Sequence, residues 1–205
     1  MPPAEPDVVV IPAGNALLED PPRTIHVNIF AIALRPVSNA EYATFVAAAS
    51  YVTPPGWSGE SERTTHPVEG VSWADAVAYC RWLSVSTGRV YRLPDEREWE
   101  KTARGAAGRR WPWGDAEDAK RANVRESDVG LTTPIGRYAS GATPEGVVDL
   151  VGNVREWTNT WADGRVLRGG SYLDRLADCA PSRRLRASDD LRGVGFRVVR
   201  SMTGR

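Results

Sequence analysis

Val90-Tyr91-Arg92-Leu93-Pro94-Asp95-Glu96-Arg97-Glu98-Trp99-Glu100 sets the style of the whole chain. Val90 to Leu93 has the composition of a short strand, and Pro94 then opens a charged turn of helix from Asp95 to Arg104 that carries one indole, Trp99. Glu96, Glu98 and Glu100 are read there as solvated or ion-paired, not as a catalytic pair. Short elements under irregular backbone fit the composition: 8 Trp must find buried partners while 19 Gly and 15 Pro break the chain, so aromatics are expected to pin the core.

Working outward, Val8-Val9-Val10-Ile11 and Ile25-His26-Val27-Asn28-Ile29 read as strands, the second by strict alternation. Ser38-Asn39-Ala40-Glu41 and Ser72-Trp73-Ala74-Asp75 have capping-box spacing. Tyr42, Phe45, Val46 and Ala49 follow the first at helical intervals, and Ala76, Val77, Cys80 and Leu83 the second. The first helix ends before Pro54-Pro55-Gly56, and Gly88 suits the stop of the second. From Gly105 to Gly164 almost nothing is periodic, yet Trp111, Trp113, Trp157 and Trp161 predict an ordered loop assembly. Within it Trp111-Pro112-Trp113-Gly114-Asp115 reads as a buried corner. Arg165-Val166-Leu167-Arg168 and Phe196-Arg197-Val198-Val199 close the chain as strand-like pieces. With neither linker nor repeat, residues 1–205 are read as one domain.

Several function classes fall away. No run of about 18 apolar residues offers a membrane span or a secretory segment, so the expected compartment is the cytoplasm. Twenty-six basic residues balance 26 acidic ones, which gives nucleic acid no global field to follow. His26 and His66 lack the spacing of a metal pair and are read as exposed or structurally bonded. Arg168-Gly169-Gly170-Ser171 is not followed by a helix-opening Gly-Lys-Ser/Thr, so its glycines are read as close backbone contacts and not as a phosphate loop. Cys80 and Cys179 are too few for a disulfide scaffold.

A succession of blocks then covers nearly the whole chain: Ile11-Pro12-Ala13-Gly14, Pro36-Val37-Ser38-Asn39-Ala40-Glu41-Tyr42, His66-Pro67-Val68, Val71-Ser72-Trp73, Tyr79-Cys80-Arg81-Trp82-Leu83, the Arg92–Glu100 stretch, Trp113-Gly114-Asp115, Gly152-Asn153-Val154-Arg155-Glu156-Trp157, Arg168-Gly169-Gly170-Ser171 and Gly195-Phe196-Arg197. In this order they resemble the formylglycine-generating, sulfatase-modifying-factor family. The resemblance implies an α+β variant of the C-type lectin fold with little regular structure, two main helices and a small twisted antiparallel sheet.

The family's oxidases bind copper through two cysteines, at places that here hold Asp174 and Cys179. A carboxylate beside one thiolate does not reproduce a two-sulfur site for soft Cu(I), so no copper and no oxidase activity are expected; the competing reading is a copper-dependent oxidase that converts a client cysteine to formylglycine. The related sulfoxide synthases place iron-binding histidines largely on an additional helical domain that does not fit here. A third kind of relative, the variable proteins of diversity-generating retroelements, displays a rewritten surface between the Arg-Gly-Gly-Ser and Gly-Phe-Arg blocks. Mutation of the first two bases of an AAC codon never yields Lys, Glu, Gln, Met or Trp, and none of these occurs in 172–194, where the acids are all Asp.

The resemblance therefore implies a non-catalytic binding protein with a variable ligand-binding region at 172–194. The candidate contact residues are Tyr172, Leu173, Asp174, Arg175, Leu176, Asp178, Arg183, Arg184, Arg186, Asp189, Asp190 and Arg192, which combine bidentate donors with apolar anchors. Leu173, Asp174, Leu176, Asp178, Arg184 and Asp189 are expected to point outward. The ligand is read as a protein or other surface, with no nucleic acid and no membrane. Asn153 and Glu156 lie in a block that resembles a family calcium loop, so structural Ca2+ is a further expectation; the competing reading has Asn153 bonding its own backbone in a tight turn.

Overall fold

The computed structural model describes residues 3–57 and 62–202. Capping boxes start all three of its α-helices. Glu41 N–H donates to the Ser38 hydroxyl and Ser38 N–H to the Glu41 carboxylate, which launches α1 (Asn39–Ala49). Ser72 and Asp75 repeat the exchange at α2 (Trp73–Thr87), which stops at Gly88 in the left-handed conformation. Asp95 and Glu98 do the same for α3 (Glu96–Arg104), so the charged turn after Pro94 is a third full helix beside the two implied. Each cap satisfies N–H groups that the helix leaves orphaned, worth about 1 kcal/mol apiece.

The strands form more than one small sheet. β1 (Val8–Ile11), β4 (Phe30–Ala33), β5 (Tyr91–Arg92) and β10 (Val199–Ser201) make one sheet in the order β1-β4-β10-β5, all antiparallel. β2 (Gly14–Leu18), absent from the sequence reading, pairs with β3 (Arg23–Val27) as a hairpin. β6 (Arg155–Trp161), β7 (Arg165–Arg168), β8 (Leu185–Arg186) and β9 (Val194–Gly195) make the other sheet, in the order β8-β7-β6-β9. Its β6–β9 pair is parallel, a departure from the all-antiparallel expectation. Residues 196–199 are not one strand as expected, because the chain changes sheets there. Phe196 and Val198 lend their carbonyls to Val37 N–H and Ala33 N–H on the way across.

Aromatic packing holds the helices to this crossover. Tyr42, Phe45 and Tyr79 contact one another edge-on or stacked at 5.3 to 6.1 Å, and the Phe196 ring stands 5.3 Å from Tyr79. Each such ring pair adds about 0.5 to 1.5 kcal/mol to the burial itself. Trp99 fills a second cluster with Phe30, Ile32, Leu150 and Val199. The aperiodic stretch is ordered, with single turns of 3-10 helix at Ala119–Arg121, Arg125–Ser127 and Ala139–Gly141. Its last part is strand β6, hidden in the sequence because Glu156, Trp157 and Thr158 are buried in succession. Trp111 is buried and stacks on Trp113 at 5.5 Å, so that motif is the buried corner expected.

Glu96, Glu98 and Glu100 are buried, which rules out the solvated reading and keeps the ion-paired one. Glu98 takes two bonds of 2.6 Å from Arg92. Glu96 receives Arg168 at 2.9 Å and Arg184 at 2.6 Å, and Glu100 receives Arg104 at 2.6 Å.

Candidate ligand-binding clefts

β7 delivers Arg168 into Gly169-Gly170-Ser171, where the backbone turns left-handed, with φ of 87° at Gly169 and 68° at Gly170. A Cβ at Gly170 would overlap the Cys179 sulfur, and one at Gly169 would press on the Trp99 ring. These glycines are the close contacts expected, and they seat Cys179 fully inside the protein. Burial pushes the Cys179 thiol well above its ordinary range, with the nearby carboxylates of Asp174, Asp178 and Glu126 adding to the rise. Cys80, inside α2, is pushed up to about 12, again chiefly by burial.

Asp174 is bound from two directions. Arg155 on β6 grips it with Nη2 and Nε at 2.6 and 2.8 Å, and Ser171 N–H donates to it at 2.9 Å. Burial alone would raise the Asp174 pKa, but the Arg155 hydrogen bonds and charge bring it below the usual carboxylate value. The pair of positions that would hold copper thus offers a protonated, enclosed thiol and a carboxylate committed to a guanidinium, a donor set that does not fit a Cu(I) ion.

The residues expected to hold calcium are committed to protein partners. Asn153 has φ of 61°. Its side-chain oxygen accepts from Thr133 N–H at 3.0 Å and Asn123 Nδ2 at 3.2 Å, and its amide donates to the Thr133 carbonyl at 3.2 Å. It therefore pins a neighbouring loop instead of closing its own turn. Both Glu156 oxygens are taken, by Arg197 and Trp99 at 2.7 Å. Neither side chain presents an unoccupied hard oxygen for the ion.

The segment after Ser171 divides into parts with different surroundings. Tyr172, Asp190 and Arg192 stand between two clefts. The larger, of about 700 Å³, lies between this segment and Pro54, Pro55, Trp57, Glu69, Gly70 and Asp75. The smaller, of about 460 Å³, is lined by Arg125, Asp128 and Arg155 with Leu173 and Asp174. Tyr172 reaches Glu69 with its hydroxyl at 3.3 Å, and Glu69 also accepts from Gly193 N–H at 2.7 Å. Arg192 holds Asp190 through Nε and Nη2 at 3.0 and 2.7 Å, which draws the Asp190 pKa down to about 2.

The middle of the segment turns elsewhere. Leu176 was expected to point outward but is buried beside Trp111, Val124, Val151 and Cys179. The reason is the 3-10 turn Leu176–Cys179, whose three-residue period sets both ends of the turn on the inner face. Arg184, also expected to be a displayed side chain, lays its guanidinium on buried Glu96 while its stem remains half-exposed. Arg183 pairs with Asp178 at 3.3 Å, and Arg186 lies 3.8 Å from Asp163, in exposed bridges away from both clefts. Arg175 and Asp189 are exposed.

The opposite walls went unrecognised in the sequence. Pro54-Pro55-Gly56 was legible only as the stop after α1, and Glu69, Asp75, Arg125 and Asp128 come from loops and caps far apart in the chain. His66 Nδ1 lies 3.1 Å from Thr132 Oγ1 and His26 Nδ1 lies 3.3 Å from Asn15 Oδ1, which matches the structural roles expected. Among the described residues no helix is long and apolar enough to cross a membrane.

Over the described residues, three helices, two four-stranded sheets, a two-stranded hairpin and a loop-built pair of clefts next to the Arg-Gly-Gly-Ser turn define a protein with the α+β lectin-type fold of the formylglycine-generating enzymes. The chain belongs to that family: the profile of the sulfatase-modifying factor enzyme 1-like domain matches residues 2–202. It is 30% identical to the inactive C-alpha-formylglycine-generating enzyme 2 of Mus musculus, over 96% of this chain and 86% of that protein. It is 32% identical to the formylglycine-generating enzyme of Mycobacterium tuberculosis, over 69% of this chain and 67% of that one. The family thus includes enzymes and a member named inactive. Among solved structures, Treponema denticola variable protein 1 shares the fold with a TM-score of 0.79 and 21% identity, 94% of each chain being covered.

Proposed function

We propose that this protein is a non-catalytic member of the family that binds a ligand through a diversified surface built by the two ends of segment 172–194. The observation that carries the reading is Asp174 locked onto Arg155 beside the buried thiol of Cys179. Where an oxidase of the family needs two accessible thiolates, this chain has a structural ion pair and an enclosed thiol. The same pair fixes the turn that projects Tyr172 and Leu173 toward the clefts. The likeness in fold to a variable protein is in keeping with this, as is the Asp-only acid content of the segment.

Two measurements test it. Purified protein with Cu(I), oxygen and a cysteine-bearing sulfatase-type peptide is expected to yield no formylglycine; product formed over many turnovers would establish the oxidase instead. The flanking DNA is expected to hold a reverse-transcriptase gene and a near-copy of the 3′ coding end that differs at adenines. Their absence would remove diversification from the reading.

A further inference from the structure

We propose that the β6–β7 hairpin carries a separate interaction surface, outside both clefts, at which Arg165 and Trp161 receive a carboxylate side chain of an acidic protein partner. The two residues are paired across the strands, and neither lines a cleft. Trp161 is 68% exposed and is the one exposed aromatic side chain among the described residues. Arg165 is half-buried. Its Cζ lies 3.4 Å from the centre of the Trp73 ring and 5.2 Å from that of Trp161. Stacking of this kind occupies the face of a guanidinium and leaves the N–H donors, which lie in its plane.

Among the described residues, no carboxylate or carbonyl takes those donors. Asp163, in the turn between the two strands, lies 3.8 Å from Arg186 on β8, so the charge of Arg165 stays uncompensated at the hairpin. The support under it is fixed. The Trp73 indole N–H donates to the Thr158 carbonyl at 3.1 Å, Asn159 N–H donates to the Pro94 carbonyl at 2.8 Å, and Thr160 Oγ1 accepts from Glu96 N–H at 3.0 Å. β6 is thereby tied to α2 and α3 up to the residue before Trp161. A lone exposed indole carries no message. Beside an arginine with idle donors it does, because Trp and Arg are the residues that dominate protein interfaces. The indole supplies apolar contact, and the guanidinium supplies two parallel donors that match a carboxylate. A fork already laid on its support loses little freedom on binding, and a basic partner would meet Arg165 and Arg186 as like charge.

The test is an NMR titration of the full-length, nitrogen-15-labelled protein with three capped peptides that alternate leucine with glutamate, glutamine or phosphoserine. The glutamate peptide should shift the Arg165 Nε–H and Trp161 indole N–H signals to saturation, and the glutamine peptide should leave the Arg165 signal in place. Arg165→Gln and Trp161→Ala should each weaken binding about tenfold or more, with melting curves matched to the wild type. Arg165→Lys, which keeps the charge and loses the fork, should weaken it as well, and it decides the matter if Arg165→Gln does not fold. No shift with the glutamate peptide would overturn the proposal. Shifts with the phosphoserine peptide alone would overturn it in favour of a phosphate site. Equal binding of the glutamine peptide, retained in Arg165→Gln, would overturn it by reducing Trp161 to an apolar patch.

Discussion

Glu156 and Asp174 each hold an arginine, and the two ion pairs mark two regions with different tolerances. Glu156 and Arg197 are 1% and 0% exposed, and the carboxylate also takes the Trp99 N–H, so α3, β6 and the crossover between sheets meet at one carboxylate. Asp174 and Arg155 are 17% and 24% exposed and tie one turn to the edge of the clefts. In the first region the carboxylate and the guanidinium are each committed to several partners, so neither can change alone. In the second, inward groups are committed and their neighbours are not.

The sharpest way to break the comparison is at the buried pair. Glu156→Ala leaves Arg197 charged and unpartnered inside the protein, which costs about 3 to 5 kcal/mol. Urea denaturation should show a much lower midpoint, or no folded protein. If Glu156→Ala melts no earlier than Asp174→Ala, the distinction between frame and surface is wrong.

Acid titration separates the regions by sign. Asp149, buried with φ of 56°, has its pKa raised to about 6, chiefly by burial. Its folded state holds the proton more tightly than the unfolded chain does. The stability it contributes is therefore present below about pH 4 and lost as pH rises to about 6, a swing of about 3 kcal/mol. Asp149→Asn should remove that fall. Asp174 runs the other way: its lowered folded pKa gives stability that is present above about pH 4 and lost below it. Asp174→Ala should cost about 1.5 to 3 kcal/mol at neutral pH, the usual worth of hydrogen bonds to a charged group, and less in acid. Unfolding curves of both variants at several pH values check the two signs together.

What the sequence made legible follows the same division. Two helix starts were readable because a capping box is a local chemical device, and the boxes at Ser38 and Ser72 close as spaced; the third, Asp95 with Glu98, was read only as a charged turn after Pro94. The strands of the frame were harder. β6 shows no alternation because Glu156 is buried through Trp99, distant in the chain, and Thr158 through the Val166 carbonyl on the adjoining strand β7, a cost that local pattern cannot display. Segment 172–194 was found through its place between two family blocks, but its inward and outward positions were not. Leu176 and Asp178 are two residues apart in an aperiodic stretch, and only the 3-10 turn decides that one enters the core. The far walls of the clefts were invisible for a simpler reason: a pocket joined from Pro54, Asp75 and Tyr172 has no spacing to read.

The smallest effect is expected where the surface reading is most exposed to failure, inside the segment itself. Arg175, Asp189 and Arg192 project from irregular backbone, and the ion pair that Arg192 makes with Asp190 leaves the two side chains 74% and 52% exposed. Exposed pairs of this kind contribute little to stability, and surface substitutions of this sort rarely change it. Replacing all three by alanine should leave the melting temperature nearly unchanged. Leu176→Ala, one residue beyond Arg175, empties part of the cluster around Trp111 and Cys179 and should cost about 2 to 5 kcal/mol. The two variants lie in the same segment and differ in which way the side chains face. If the triple variant loses as much stability as Leu176→Ala, the outer positions are structural, diversification there would be purged by unfolding, and a display surface at this place is untenable.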